Sequence, residues 1–136
     1  MILLFTTETE GTEMIEQEKT ERILAACVEV HRCTGPGLSE SAYEQCSCHE
    51  LSFRDIPFRR QIDQPVVYKE VQLDCGYRID LLVRDEIVIE LKAVERLLPI
   101  HEARLLTYMK PAGKRVGLLI SFNVPMLNDG IVRRVR

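Results

Sequence analysis

The stretch "GYRIDLLVRDEIVIELKAV", Gly76 to Val94, sets three charged groups inside the most apolar segment of the chain. Asp80 interrupts Ile79 and Leu81-Leu82-Val83, and Glu90 and Lys92 interrupt Ile87-Val88-Ile89 and Leu91. Two runs rich in Val, Ile and Leu around the short Arg84-Asp85-Glu86 connection read as a strand hairpin. Side chains alternate between faces along a strand, so Glu90 and Lys92 emerge together beside Val88. Asp80 shares its face with Arg78 and Leu82. With the loop centred on Asp85, Val83 opposes Ile87, Leu82 opposes Val88 and Asp80 opposes Glu90. Like charges directly opposed across a ladder are destabilising, and a slip of one residue would send the two acids to opposite faces.

Two readings of the hairpin follow. In one, a slipped register or an exposed face lets the charges reach solvent, or Asp80 pairs with Lys92. In the other, Asp80 and Glu90 converge on a divalent cation, whose charge offsets the cost of burying unpaired carboxylates. Lys92, two residues beyond Glu90 on the same face, then orients a water and stabilises developing negative charge. That combination is the chemistry of metal-assisted phosphodiester hydrolysis.

The rest of the chain bounds these readings. Its 136 residues suffice for one domain with an ordinary hydrophobic core. At 46% hydrophobic and 29% charged the composition is that of a globular chain. No apolar run approaches the ~20 residues that span a bilayer. The opening "MILLF" has no basic flank of the kind a secretory signal carries, so a cytoplasmic location is expected. The first 21 residues hold six of the 21 acids and only one of the 18 bases, which leaves the remainder mildly basic. That balance permits nucleic-acid binding. Residues 1–13 read as an unstructured extension and residues 14–136 as the single domain. The five cysteines are odd in number and irregularly spaced, against a disulfide framework. In "CSCHE" (Cys46 to Glu50), Cys46 and Cys48 on a helix point about 200° apart, so packing is favoured over zinc.

Helical periodicity runs from about Glu16 to Cys33 through Ile23, Cys27 and Val30, and through Leu24, Val28 and His31, with Thr20 as an internal start signal. "TGPGL" (Thr34 to Leu38) ends that helix, and a second spans about Ser39 to Arg54. Strands follow at Phe58 to Gln61, Val66 to Glu70, Val71 to Cys75, Tyr77 to Arg84 and Glu86 to Val94. A third helix begins at Pro99 and runs to about Met109. "PAGKR" (Pro111 to Arg115) reads as a turn, and "VGLLISF" (Val116 to Phe122) as a strand buried on both faces. The expected fold is α/β, a mixed central β-sheet flanked by helices.

Asp80…Glu90-Leu91-Lys92 in a hairpin after a helix resembles the PD-(D/E)xK nuclease superfamily, whose core is restriction-endonuclease-like. "GLSESAY" (Gly37 to Tyr43) is similar to the motif that names the GxxExxY protein family within it. "GPGLSESAYE", "YRIDLLV", "VIELKAVE" and "LPIHEARLLTYMK" fall in that family's order. The resemblance implies Asp80 and Glu90 as metal ligands, with the Leu91 carbonyl as a third. It implies Lys92 as the catalytic lysine and Glu40 as completing the acidic cluster, directly or through a water. Tyr43 shares a helix face with Glu40, for packing or for the site, whereas Glu44 reads as a solvated surface acid. Exonuclease-like members carry Gln-x-x-x-Tyr on the following helix. Here those positions are Arg104 and Tyr108; an arginine can bind phosphate or fill the cation's place and silence the enzyme. His101, one turn earlier, can share that face.

The implied activity is Mg2+-dependent hydrolysis of nucleic acid, DNA before RNA, with Mn2+ as a substitute ion. Its alternative is a catalytically silent binding or regulatory module. Arg59, Arg60, Arg78, Arg96, Lys110, Lys114 and Arg115 are candidate phosphate contacts. The implied partner is nucleic acid, DNA before RNA, without a membrane, and a homodimer or a larger complex is open to a domain this small.

Overall fold

The computed structural model describes the backbone of residues 2–136 and the side chains of residues 16–136. The expected extension at residues 1–13 lies outside the residues described with their side chains. Helix α1 (Ile2–Thr34) and helix α2 (Glu40–Phe53) are followed by β1 (Phe58–Asp63), β2 (Val66–Tyr68) and β3 (Val71–Leu73). Then come β4 (Arg78–Val83), β5 (Ile87–Lys92), α3 (Pro99–Ala112) and β6 (Val116–Ser121). A 3-10 turn (Leu127–Gly130) leads into β7 (Ile131–Val135).

Five strands form one sheet in the order β1-β4-β5-β6-β7, and β2 and β3 pair separately as a small hairpin. Only β5 and β6 run parallel, linked by the α3 crossover, and the other neighbours are antiparallel. The sheet is therefore mixed, as expected. β6 is buried along its whole length, which accounts for the unbroken apolar run in "VGLLIS".

Helices cover both faces. On one, Ile23, Ala26, Cys27 and Val30 of α1 and Tyr43 and Leu51 of α2 pack on Leu81, Val83, Ile89, Leu91, Leu118 and Ile120. On the other, Leu105, Tyr108 and Met109 of α3 pack on Ile79, Leu82, Val88 and Leu119. Gly117 permits the second contact. A Cβ there would collide with the Met109 sulfur and press on Leu105, so the missing side chain brings α3 down onto β6.

Three local expectations need correction. Thr20 is no helix start: it is buried inside α1, and its hydroxyl donates to the Glu16 carbonyl at 2.9 Å. Val28 is 44% exposed, off the buried stripe. Pro111 does not end α3, which continues to Ala112 and closes at Gly113. Gly113 adopts φ 68, and the N–H groups of Gly113 and Lys114 donate to the Lys110 and Met109 carbonyls. A proline in the last turn forfeits one bond, while the left-handed cap satisfies the Met109 and Lys110 carbonyls.

Candidate active site

The β4–β5 register is Val83↔Ile87, Leu82↔Val88 and Leu81↔Ile89, the one read from the centred loop. The ladder stops there. At the next level the side chains bridge the strands instead: the Asp80 N–H donates to Glu90 Oε1 at 3.3 Å, and the Leu91 N–H donates to Asp80 Oδ2 at 2.8 Å. Each carboxylate thus holds a backbone amide of the opposite strand. Directly across on β1, Gln61 has φ 53, and the β1–β4 pairing skips from Arg60↔Leu81 to Ile62↔Ile79.

The two-residue alternation breaks at this level. Ile79 packs in the same cluster as Leu82, on the α3 side, whereas strict alternation would send it to the other face. The expectation that Asp80 simply shares a face with Arg78 and Leu82 therefore fails. Gln61, left-handed and opposite Asp80, marks the level at which the alternation breaks, while the β1–β4 register is the same on either side of it.

Burial dominates the electrostatics. Glu90 is 4% exposed. Desolvation first, and the Asp80 charge second, push its carboxyl up to about 8. Desolvation likewise raises Asp80 to about 6; the Leu91 amide opposes the rise, and the charges of Glu44 and Glu40 add to it. Lys92 lowers both, and its Nζ lies 4.0 Å from Glu40 Oε1. No ion pair between Asp80 and Lys92 occurs among the described residues. Asp80, Glu90, Lys92 and Glu40 accordingly share one electrostatic neighbourhood, with more negative than positive charge.

The loop before α2 explains how Glu40 arrives there. Gly35 and Gly37, at φ 66 and φ 111, shape a turn that side-chain-bearing residues resist. The Tyr43 hydroxyl donates to the Gly35 carbonyl at 2.6 Å and accepts from the Leu38 N–H at 3.1 Å. Its ring stacks on Phe122, 4.5 Å between centroids. Ser39 caps the helix by accepting from the Ala42 N–H, and Glu40 opens the first turn, where a carboxylate suits the helix dipole. Tyr43 is thus fully buried and fastens the turn that presents Glu40.

On α3, His101 accepts from the Leu98 N–H through Nδ1 at 3.0 Å and caps the helix. Tyr108 is buried, and the Glu90 and Asp80 charges reach its hydroxyl, which burial already raises. Arg104 is exposed, and its charge is felt at Tyr108 rather than among the principal influences on Asp80 or Glu90.

Glu44 contradicts its sequence reading. It is 6% exposed, with its carboxylate accepting from Arg60 and Gln61 at 2.6 Å each. Burial of the ion here depends on two donors from β1, so it is paired rather than solvated. A Glu one turn beyond Glu40 on the same helix face was the available signal. Tyr77, in tilted contact with Tyr108 at 6.0 Å, was also missed. Of the candidate phosphate contacts, Arg59 and Lys114 engage Asp85, Arg78 engages Asp63, Arg60 engages Glu44 and Arg115 engages Glu16.

The donor chemistry fits a hard divalent cation. Two crowded carboxylates raised chiefly by burial, with the Asp80 charge adding to the rise at Glu90, are what such an ion relieves. No three His, Cys, Asp or Glu side chains cluster as a metal cage among the described residues. A two-carboxylate set suits an ion that retains water. The "CSCHE" segment offers no alternative: Cys48 is buried and its thiol is raised to about 11 by desolvation.

A family model described as PD-(D/E)XK nuclease superfamily matches residues 17–135. The chain belongs to that superfamily, and its five-stranded mixed sheet flanked by three helices is the α/β restriction-endonuclease-like fold. No curated protein and no solved structure matches the chain. No helix among the described residues is long and apolar enough to cross a membrane.

Proposed function

We propose that the domain is a nuclease that hydrolyses phosphodiester bonds of nucleic acid, DNA before RNA, with Mg2+ as its cofactor. The observation that carries this reading is the buried Asp80–Glu90 pair at the open end of the β4–β5 ladder, with Lys92 beside it and no ion pair to either acid among the described residues. Membership of the nuclease superfamily supports it, as does the likeness of "GLSESAY" to the GxxExxY motif.

In this reading Asp80, Glu90 and the Leu91 carbonyl hold the ion. Bound there, a divalent cation supplies Lewis acidity, neutralising phosphate charge and making water a better nucleophile. The Lys92 ammonium, 16% exposed, orients the attacking water and stabilises charge developing on the phosphate oxygens. Glu40 holds Lys92 in place and positions water at the mouth of the site. Arg104, exposed and in no ion pair with the acids among the described residues, is available to phosphate, which weighs against its silencing the centre.

The test is Mg2+- or Mn2+-dependent cleavage of single- and double-stranded DNA and RNA. Lys92→Ala should lower the rate by about 10²–10³-fold while leaving the unfolding midpoint close to wild type. Cleavage without metal dependence, or undiminished in Lys92→Ala, would overturn the assignment.

A further inference from the structure

Beside the acidic centre, a groove of about 890 Å³ runs between the exposed face of α3 and the segment leading into β2. That volume lies within the range of binding clefts. Its apolar walls include Val67 and Ile100, 56% and 58% exposed, and Tyr77 and Tyr108 form its aromatic part, with ring planes 49° apart. Arg104 and Lys110 supply its charge, and no carboxylate lines it.

The two cations of the groove differ from several others on the surface. Arg59, Arg78 and Arg134 each sit against an acid, whereas Arg104 and Lys110 pair with none among the described residues. The groove also reaches the chemistry, because Tyr108 borders it on one side and feels the Glu90 and Asp80 charges on the other.

We infer that the groove seats an unpaired stretch of nucleic acid, its bases against Tyr77 and the apolar walls and its phosphates on Arg104 and Lys110, leading the strand toward Asp80 and Glu90. The inference rests on the nuclease reading and deepens it to a substrate class, single-stranded or locally opened nucleic acid. A duplex presents its sugar-phosphate exterior and keeps its base faces stacked, so it could use the two cations but not the aromatic and aliphatic surface. A single strand uses both, since every base offers a face to an aromatic ring.

Binding of dye-labelled oligothymidylate, oligouridylate and a blunt DNA duplex to the full chain, in EDTA and across a salt series, tests this. Both single strands, or one of them, should bind about tenfold or more tightly than the duplex. Their difference reads the sugar preference. Tyr77→Ala should cost the preferred strand about tenfold, in the range of one lost stacking contact. Arg104→Ala should lower the slope of log affinity against log salt by roughly 0.7. Arg22→Ala, which removes an exposed charge on α1, should change neither. Equal affinity for strand and duplex, or a Tyr77→Ala protein that binds as wild type, would overturn the assignment.

EDTA separates this outcome from catalysis. Cleavage with no strand preference removes the groove assignment alone. Strand preference without cleavage upholds the groove and removes the nuclease reading.

Discussion

Glu90 is the residue on which the energetics turn. It is deeply buried, its carboxyl is pushed up to about 8, and Asp80 beside it is raised to about 6. Without metal, the folded chain therefore holds more protons than the unfolded chain between the ordinary carboxylate range and about pH 8. Stability must fall as pH rises through that window. Urea unfolding in EDTA should lose on the order of 5 kcal/mol between about pH 5 and pH 9, and Glu90→Gln, which cannot ionise, should flatten most of the decline. A wild-type curve flat across that interval would refute the burial argument. At this scale the site was legible where chemistry conflicts with its surroundings: Asp80, Glu90 and Lys92 stand out because apolar residues flank them. Glu44 gave no such sign, since its burial is decided by Arg60 and Gln61, sixteen and seventeen residues away. Tyr43 was legible as a motif residue, but its task required knowing that the Gly35 carbonyl and the Leu38 amide fold back onto its hydroxyl.

Among the elements, the β4–β5 hairpin could be registered in advance because a short charged loop between apolar runs leaves few ways to bury both. The break at Asp80 could not, for it coincides with the left-handed Gln61 on a strand that neighbours β4 only in space. Nor could the end of α3, where helix continuation through Pro111 depends on the Gly113 cap. The position of α3 rests on Gly117. Replacing it with valine forces side-chain branches into the Met109 sulfur and Leu105, which should cost about 1–3 kcal/mol by overpacking. The same displacement carries Tyr108 and Arg104 away from the acids. Denaturant unfolding combined with oligonucleotide binding by Gly117→Val checks both effects. Wild-type values in both measurements would mean that the helix has slack the packing does not suggest.

For the whole molecule, layers on both faces of the sheet leave the acidic end of the β4–β5 ladder as a place where charge interrupts the packing, and an ion seated there would become part of the fold. Mg2+ at about ten times its dissociation constant should add about 1.4 kcal/mol, raising the melting temperature by about 5 °C for a chain of this size. Asp80→Asn with Glu90→Gln should abolish that increment, and a thermal shift unaffected by the double change would place the ion elsewhere. The overall architecture was accessible from periodicity because the helices and β6 carry unambiguous patterns. The separate β2–β3 hairpin was not assigned to its own sheet, since three-residue strands with mostly exposed side chains leave little trace.

The crossed attachment of Asp80 and Glu90 to each other's strands has one more result. The amides of Asp80 and Leu91 are latched by the very oxygens an incoming ion would recruit. Loading the centre therefore loosens a seam of the backbone, and the deuterium uptake of those two positions is a gauge of occupancy wired into the main chain itself.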